Sequence, residues 1–173
     1  MKVYTTRFGE LEIEKEKVID MPKGMVGFAE RSFIILNADN DGPFCWFQAV
    51  DNPDLAFVVV DPFRFVSDYQ VKLSREECDC LQVKNAKDVV ILSVVTMNRD
   101  PWQITVNLQG PVVINPACMT SFQVVLDGNY PARYLLFGKE QVPEKEERIL
   151  PPQARAPRLS SISCELQFAP VCA

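Results

Sequence analysis

Ser32-Phe-Ile-Ile-Leu-Asn37 is followed, after a short break, by Phe44-Cys-Trp-Phe-Gln-Ala-Val-Asp51 and then by Ala56-Phe-Val-Val-Val60. All three runs have the length of a β-strand and are rich in the aromatic and β-branched residues that strands favour. The breaks between them, Asp39-Asn-Asp-Gly-Pro43 and Asn52-Pro53, consist of residues typical of turns. This pattern predicts consecutive strands joined by tight connections.

The same organisation extends in both directions along the chain. Further strand-like runs occupy residues 2–7, 11–14, 89–98, 104–108, 112–115 and 121–126. Phe8-Gly9-Glu10 separates the first two runs and indicates a hairpin. Short strands at this spacing predict an all-β fold, an antiparallel β-barrel or barrel-like sandwich, rather than alternating βαβ units.

One short helix interrupts the β pattern. Ser74-Arg-Glu-Glu77 forms a capping box, in which Ser74 and Glu77 satisfy each other's free backbone donors, and Cys78-Asp-Cys-Leu81 follows it. We expect a helix from about residue 75 to 82 at one end of the barrel, and residues 84–88 can add a turn. A solvated loop is the alternative, since local propensity is a weak signal.

The amino-acid composition changes after residue 138. Residues 139–173 hold five of the 13 prolines and the charge run Glu144-Lys-Glu-Glu-Arg148. We therefore predict a β domain over 1–138 and a proline-rich linker with a weakly structured tail over 139–173, open to proteases between about residues 139 and 157. Within the tail, residues 162–168 alternate passably between apolar and polar. They form either a strand that adds to a sheet edge or no regular structure.

Composition and charge limit the classes of function. The chain has 173 residues, enough for one ordinary domain, and a net charge of −5 that resides entirely in residues 1–138. An acidic body argues against direct nucleic-acid binding and favours a basic partner. No apolar run approaches the ~20 residues that a membrane helix needs. The first residues lack the apolar segment of a signal peptide, so we expect a cytoplasmic protein.

The residues required for catalysis or metal binding are sparse. The chain has no histidine, and its six cysteines form no C-x-x-C pair; they are Cys45, Cys78, Cys80, Cys118, Cys164 and Cys172. We therefore expect free thiols and no metal or cofactor. Asp51 and Asp54 are paired carboxylates, but they lie in a turn sequence that favours such residues for structural reasons. Enzyme activity is not expected.

Several motifs occur in a characteristic order along the chain. They include Thr5-Thr-Arg-Phe-Gly-Glu-Leu-Glu-Ile13, and Phe44-Cys-Trp-Phe-Gln-Ala-Val-Asp-Asn-Pro-Asp-Leu-Ala-Phe57 with Val60-Asp-Pro-Phe63. The first resembles the opening hairpin, and the second the central block, of the FliW family of flagellar assembly factors. Pro22-Lys-Gly-Met-Val-Gly-Phe28 is similar to the segment "F-P-x-G-I-P-G-F", with Met21 and Val26 in place of Phe and Pro. The resemblance spans roughly residues 5–135. It departs at Ala132 and Tyr134 and throughout the tail.

The resemblance implies a binding function. Proteins of this family bind CsrA, a small RNA-binding translational regulator, and relieve its repression of flagellin synthesis. They also bind flagellin, which competes for them and closes a feedback loop. Proteins of the family bind the regulator at a surface other than the one that binds RNA, so the antagonism is allosteric. An acidic body suits a basic partner of this kind.

Two acidic surfaces are candidates for partner binding. They comprise Glu76, Glu77 and Asp79 on the predicted helix, and Asp61, Phe63, Asp68 and Tyr69 in the loop before it. The alternative for the loop is structural: Phe63 and Phe65 fill the barrel while Asp61 makes a turn. Trp46 is interpreted as a core residue, and Asn107 and Asn115 as hydrogen-bonded structural residues.

Two other functions compete with protein binding. An eight-stranded barrel can carry a small apolar ligand, and a large apolar cavity would distinguish that function. A hydrolase with Cys45 or Cys118 as nucleophile would need an unusual base, because the chain has no histidine.

Overall fold

The computed structural model describes residues 1–37, 42–99, 102–126 and 130–138. These ranges contain eleven β-strands: β1 (Lys2–Thr5), β2 (Gly9–Glu12), β3 (Ile19–Asp20), β4 (Ser32–Asn37), β5 (Phe44–Ala49), β6 (Ala56–Val60), β7 (Val90–Arg99), β8 (Trp102–Val106), β9 (Val112–Asn115), β10 (Thr120–Gln123) and β11 (Tyr134–Gly138). They also contain the helix α1 (Arg75–Leu81) and 3₁₀ turns at Lys15–Lys17, Pro62–Arg64 and Ala86–Asp88. The predicted linker and tail, 139–173, lie outside the described residues, so their organisation stays a prediction.

Seven of the strands close into a ring, in the order β7-β6-β5-β4-β3-β10-β9 and back to β7. Strands β8 and β11 extend the sheet from the C-terminal half of β7, and β1 and β2 form a separate hairpin. The prediction of an all-β, barrel-like fold with one short helix is confirmed.

One pairing differs from the expected antiparallel pattern. Strands β3 and β10 run parallel and are joined by the single pair Asp20 and Thr120. Parallel neighbours need a long connection, and the two residues of this pair are 100 positions apart in the chain. The ring therefore closes between two segments that no hairpin links.

The strands β7 and β9 are buried on both faces, which gives the fold two hydrophobic cores. The inner core, inside the ring, consists of Ile19, Met21, Met25, Phe33, Cys45, Phe47, Ala49, Val59, Val90, Leu92, Val112 and Ile114. The outer core consists of Val60, Tyr69, Val71, Leu81, Val83, Val89, Ile91, Val95, Val106, Leu108, Val113, Val124, Leu126 and Leu136. Because both faces are covered, β7 begins as a continuous apolar run instead of an alternating one.

The segment between β6 and β7 covers the outer core. Leu81 of α1 is fully buried there, and Phe63, Phe65 and Val66 of the preceding loop pack against the same cluster. The interpretation of Phe63 and Phe65 as structural residues is therefore correct about their packing but wrong about its place. They lie on the outer face of the ring rather than inside it.

The hairpin of β1 and β2 lies against the exterior of the ring. The guanidinium of Arg7 stacks over the ring of Trp46, 4.0 Å from its centroid, and Phe8 meets the same ring edge-on at 6.0 Å. The expectation that Trp46 is a core residue is wrong, because the side chain is only partly buried and belongs to neither core. Alternation along β5 directs Phe47 inward and Trp46 outward.

No helix in the ranges that the structure describes is long and apolar enough to cross a lipid bilayer.

Candidate functional site

Helix α1 presents its acidic residues to solvent and its apolar residues to the outer core. Cys78 and Leu81 are buried, whereas Glu76 and Asp79 are exposed. The spacing of three residues places Cys78 and Leu81 on one face of the helix. Glu76 and Asp79 share the opposite side by the same spacing, so the helix displays two carboxylates that play no part in its packing.

The third acidic residue of the helix, Glu77, has a structural task. Its Oε2 accepts hydrogen bonds of 2.7 Å from the backbone N–H and 2.8 Å from the hydroxyl of Ser74, and Ser74 Oγ accepts one of 3.3 Å from the backbone N–H of Glu77. The predicted capping box is thereby confirmed. Glu77 is half-buried and committed to this cap, so it is a poor candidate for a partner contact.

The C-terminal end of the helix is fixed to the barrel. Gln82 ends it in the left-handed region at φ 53°, and its N–H donates to the carbonyl of Asp79 at 3.1 Å. The side-chain amide of Asn115, at the end of β9, donates to the carbonyl of Leu81 at 2.8 Å. These contacts hold the acidic face of α1 in one orientation.

Lys23 forms an ion pair with this acidic face. Its ammonium lies 3.9 Å from the carboxylate of Glu76 and 4.7 Å from the centroid of the Phe122 ring. The Glu76 side chain is still 82% exposed, and an exposed pair at this distance contributes little. Glu76 therefore remains available to a partner.

In the loop before the helix, Asp61 caps a 3₁₀ turn. Its Oδ1 accepts from the N–H of Phe63 at 3.0 Å, and its Oδ2 lies 4.0 Å from Nε of Arg64. Burial raises the pKa of the Asp61 carboxyl, while the Phe63 hydrogen bond and the charge of Arg64 act in the opposite direction. This arrangement fits the turn-forming alternative.

Tyr69 is buried, which corrects its assignment to the partner-binding set. The residue is 2% exposed, and its hydroxyl donates a hydrogen bond of 2.6 Å to the carbonyl of Leu108. Its ring lies 5.5 Å from that of Phe63 and 4.7 Å from that of Tyr130. Burial accordingly raises the pKa of the Tyr69 hydroxyl. Its side chain anchors the loop to the outer core and is not accessible to a partner.

The structure thus separates the seven predicted residues into two groups. Asp61, Phe63, Glu77 and Tyr69 are engaged in caps and packing. The side chains of Glu76, Asp79 and Asp68 are exposed. Helix and loop lie over the same outer core, so the exposed carboxylates belong to one layer of the molecule.

The described residues argue against the apolar-ligand carrier and against Cys45 as a nucleophile. Side chains fill the interior of the ring, where the rings of Phe33 and Phe47 stack with centroids 4.4 Å apart, so little room remains for an apolar ligand. A cleft of about 320 Å³ lies elsewhere and is lined by Thr6, Arg7, Gln48, Pro53, Asp54 and Ala56. Burial raises the pKa of the Cys45 thiol, which opposes formation of a thiolate nucleophile. Within the described ranges, His, Cys, Asp and Glu side chains form no cluster that could hold a metal ion.

Sequence reasoning missed the turn that carries Val26. The N–H of Phe28 donates to the carbonyl of Met25 at 3.0 Å, and Gly27 has φ +88°, as in a type II turn with Val26 at its second position. The N–H of Val26 donates to Oε1 of Gln123 at 2.8 Å, which ties this turn to β10. In the sequence, the pair Val26-Gly27 was the available signal for this turn.

Comparison with known proteins agrees with this architecture. The sequence model of the family described as "FliW protein" matches residues 2–136. The chain belongs to the FliW family.

Relatives and a solved structure lead to the same assignment. The flagellar assembly factor FliW of Geotalea uraniireducens (strain Rf4) is 47% identical over 161 residues, which cover 88% of this chain and 99% of the relative. That of Geobacter sulfurreducens is 54% identical over 129 residues, 75% of this chain and 81% of the relative. A crystal structure of the flagellar assembly factor FliW superposes with a TM-score of 0.74 at 31% identity and covers 81% of this chain and 99% of its own. The chain is thus a member of a family of flagellar assembly factors.

The two substitutions in the FliW-like segment at residues 21–28 occupy different surroundings. Met21 is fully buried in the inner core, where a flexible apolar side chain takes the place of the phenylalanine in the family pattern. Val26 is 70% exposed and uses a backbone N–H that proline does not have. Both departures from the FliW pattern are therefore compatible with the fold.

Proposed function

We propose that this FliW protein acts in the cytoplasm as a non-catalytic regulator that binds a CsrA-type translational repressor and relieves its repression of flagellin synthesis. We propose flagellin as its second partner, which competes with the repressor for the protein. The observation that carries the proposal is membership of the FliW family over residues 2–136.

The charge of the molecule supports a basic partner. The chain has 23 acidic and 18 basic residues, and the exposed side chains of α1 and its preceding loop include Glu76, Asp79 and Asp68. Complementary fields between an acidic surface and a basic RNA-binding protein increase the association rate and improve selectivity. We therefore infer that the acidic face of α1 contributes to recognition of the repressor.

The mechanism implied by the family is allosteric. The protein would hold the repressor at a surface other than the one that binds RNA, so its own acidic groups need not imitate the spacing of phosphates. A rigid contact surface suits this task, because binding then requires little ordering of the partner-facing backbone. The cap of Ser74 and Glu77 and the bond from Asn115 to Leu81 supply such rigidity to α1.

Titration calorimetry and biosensor kinetics with the purified full-length protein and its cognate repressor test the proposal. The informative variant is the double reversal Glu76→Lys with Asp79→Lys, because both side chains are exposed. Exposed charge pairs are worth ~0.2–1 kcal/mol each, so two reversals should weaken binding by about tenfold, mainly in association rate and most visibly at low salt.

A matched control makes the same change of net charge on elements other than α1 and its preceding loop. Glu12 on β2 and Glu16 in the first 3₁₀ turn are also exposed, and their double reversal to lysine should weaken binding far less. Equal weakening by the two double variants would contradict the assignment of the surface to α1. No binding by the unmodified protein would contradict the proposed function itself.

The competition with flagellin needs a separate measurement. Addition of purified flagellin to the preformed complex should release the repressor in proportion to the flagellin added. Retention of the repressor at saturating flagellin would show that the two partners do not exclude one another.

A further inference from the structure

The end of the hairpin formed by β7 and β8 is exposed. Thr96, Met97, Asn98 and Arg99 are the last four residues of β7, and all four are exposed although successive side chains point to opposite faces of the strand. On β8, Trp102 is 53% exposed. The described residues therefore leave this end of the sheet open to a partner.

One face of this hairpin end is mainly apolar and continues onto β11. Met97, Ile104 and Phe137 lie opposite one another on β7, β8 and β11. Arg99 lies opposite Trp102, two residues further along the same face. Met97 is 50% exposed and Phe137 41%. We call these five residues the β7–β8 face, and their types are those enriched in protein interfaces, where Trp, Phe, Met and Arg are over-represented.

The area of the β7–β8 face limits what can bind there. Large side chains such as Met97, Trp102 and Phe137 have surfaces of roughly 150–250 Å² each, and about half of each is exposed, so together they present roughly 200–400 Å². A stable pair of rigid protein surfaces needs about 800 Å² from each partner. Two copies placed face to face would also bring two arginines together without a carboxylate from either face. The face therefore suits a segment of a different protein better than a second copy.

Arg99 defines the charge that this segment must carry. The residue is exposed, and none of the ion pairs among the described residues includes it. Because Arg99 shares its face with Met97, a partner that covers the apolar side chains also meets the guanidinium. A carboxylate beside an apolar row satisfies this requirement, whereas a basic surface is repelled. The β7–β8 face thus fits a partner unlike the one that the acidic face of α1 attracts.

We propose that the β7–β8 face binds flagellin, through an apolar segment of flagellin that carries a carboxylate. This inference rests on the proposed function, which supplies two partners. The repressor is basic and suits the acidic face of α1. Flagellin is a filament subunit, and a subunit that has not yet assembled exposes the apolar surfaces through which it packs against its neighbours. An apolar face on an assembly factor covers such a surface until assembly.

The two partner surfaces approach one another at the loop before α1. The ring of Phe65 in this loop meets the ring of Phe137 edge-on, with centroids 6.0 Å apart. The same loop carries the exposed Asp68 and leads directly into α1. A protein bound at the β7–β8 face would therefore reach toward the acidic surface, so the proposed competition requires only that the two partners overlap at this loop.

Biosensor binding of the full-length protein to purified flagellin and, separately, to the repressor tests the assignment. Met97→Ser with Trp102→Ser removes the two most exposed apolar side chains of the face and should weaken flagellin binding at least tenfold, as the loss of interface anchors does. Binding of the repressor should change less than twofold, which also shows that the variant is folded. The matched control is Val26→Ser with Val125→Ser, which removes two apolar side chains that are 70% and 62% exposed on other segments. It should change flagellin binding less than twofold.

Arg99→Glu tests the charge of the flagellin segment while the apolar area is kept. Flagellin binding should weaken about three- to tenfold, most at low salt, because attraction to a carboxylate becomes repulsion. Lys15→Glu makes the same change of charge at an exposed residue of the first 3₁₀ turn and should alter binding less than twofold.

Undiminished flagellin binding by the double serine variant or by Arg99→Glu, or equal weakening by the matching control, would overturn the inference and leave the proposed function intact. Absence of flagellin binding by the parent protein would contradict the proposed function, and this inference with it. Sedimentation of the parent protein tests the remaining occupant. A dimer that Met97→Ser with Trp102→Ser dissociates would identify a second copy on the face and would overturn the assignment to flagellin.

Discussion

The side-chain amide of Asn115 donates a hydrogen bond of 2.8 Å to the backbone carbonyl of Leu81, the last residue of helix α1. Its Oδ1 accepts a second bond of 2.9 Å from the N–H of Ala117. One side chain at the end of β9 thus satisfies a free carbonyl of the helix and closes the turn that follows its own strand. The asparagine is 4% exposed, so water does not readily replace it.

Asn115→Ala should destabilise the protein by about 1–3 kcal/mol, because it leaves a buried carbonyl and a backbone N–H without these bonds. Urea unfolding followed by circular dichroism measures the change. Asn98 is exposed on β7, and Asn98→Ala should alter stability by less than about 0.5 kcal/mol. Similar costs for the two variants would show that the bond to Leu81 contributes nothing specific.

The capping box predicts that substitutions of the adjacent residues Glu76 and Glu77 differ in their effect on stability. Ser74→Ala and Glu77→Ala should each cost about 0.5–2 kcal/mol, because each removes a partner from the free N–H groups at the start of α1. Glu77→Gln should keep most of the stability, since glutamine serves in the same box. Glu76→Ala is the control and should cost less than about 0.5 kcal/mol. Thermal unfolding compares the four variants, and equal costs at positions 76 and 77 would contradict this account.

The turn at Met25–Phe28 allows a double-mutant cycle on Val26 and Gln123. Val26→Pro suits the second position of a type II turn and should gain about 0.4–1 kcal/mol through the unfolded chain. It also removes the N–H that donates to Gln123, a bond worth about 0.5–1.5 kcal/mol. The net change in the parent should therefore be close to zero.

In a Gln123→Ala background this hydrogen bond is already absent, so Val26→Pro should stabilise the protein by about 0.4–1 kcal/mol. Urea unfolding of the four proteins yields the coupling. Identical effects of the proline in both backgrounds would mean that the bond between Val26 and Gln123 carries no net free energy.

Asp61 predicts a dependence of stability on pH. Burial raises the pKa of its carboxyl in the folded protein, so its favourable contribution is complete below the unfolded pKa and is lost as the pH rises through the folded value. Asp61→Asn keeps an acceptor for the N–H of Phe63 and has no charge. The variant should match the parent at about pH 3.5 and become the more stable protein toward pH 7. A stability difference that is constant or falls over this range would contradict the prediction.

Local signals in the sequence predicted the local structure well. The capping box of Ser74 and Glu77 fixes the start of α1 through contacts only three residues apart. The first hairpin is present as predicted, but its turn lies at residues 6–8, and Gly9 and Glu10 belong to β2. Such features depend on neighbours in the chain, so the sequence contains nearly all the information needed to place them.

The burial of particular side chains depended on distant contacts and was less predictable. Tyr69 and an exposed aromatic anchor have the same local sequence signature, and only the position of Leu108 and Tyr130 in the fold distinguishes them. The prediction that Trp46 is a core residue was wrong for the converse reason, since Arg7 and Phe8 cover the side chain on the outside of the ring. The division into two cores was hidden because a strand buried on both faces loses its alternation.

The ring closes through its shortest strand pairing, between β3 and β10. Every other joint in the ring has two or more paired residues, whereas β3 and β10 share one, supported by the bond of 2.7 Å from Asp20 N–H to the Met119 carbonyl. Local opening of a protein is easiest where the fewest contacts hold two segments together. Rupture there would let β3 swing outward with Ile19 and leave β9 and β10 held by the outer core. We therefore expect the ring to open first along this side, between β3 and β10, when the protein unfolds.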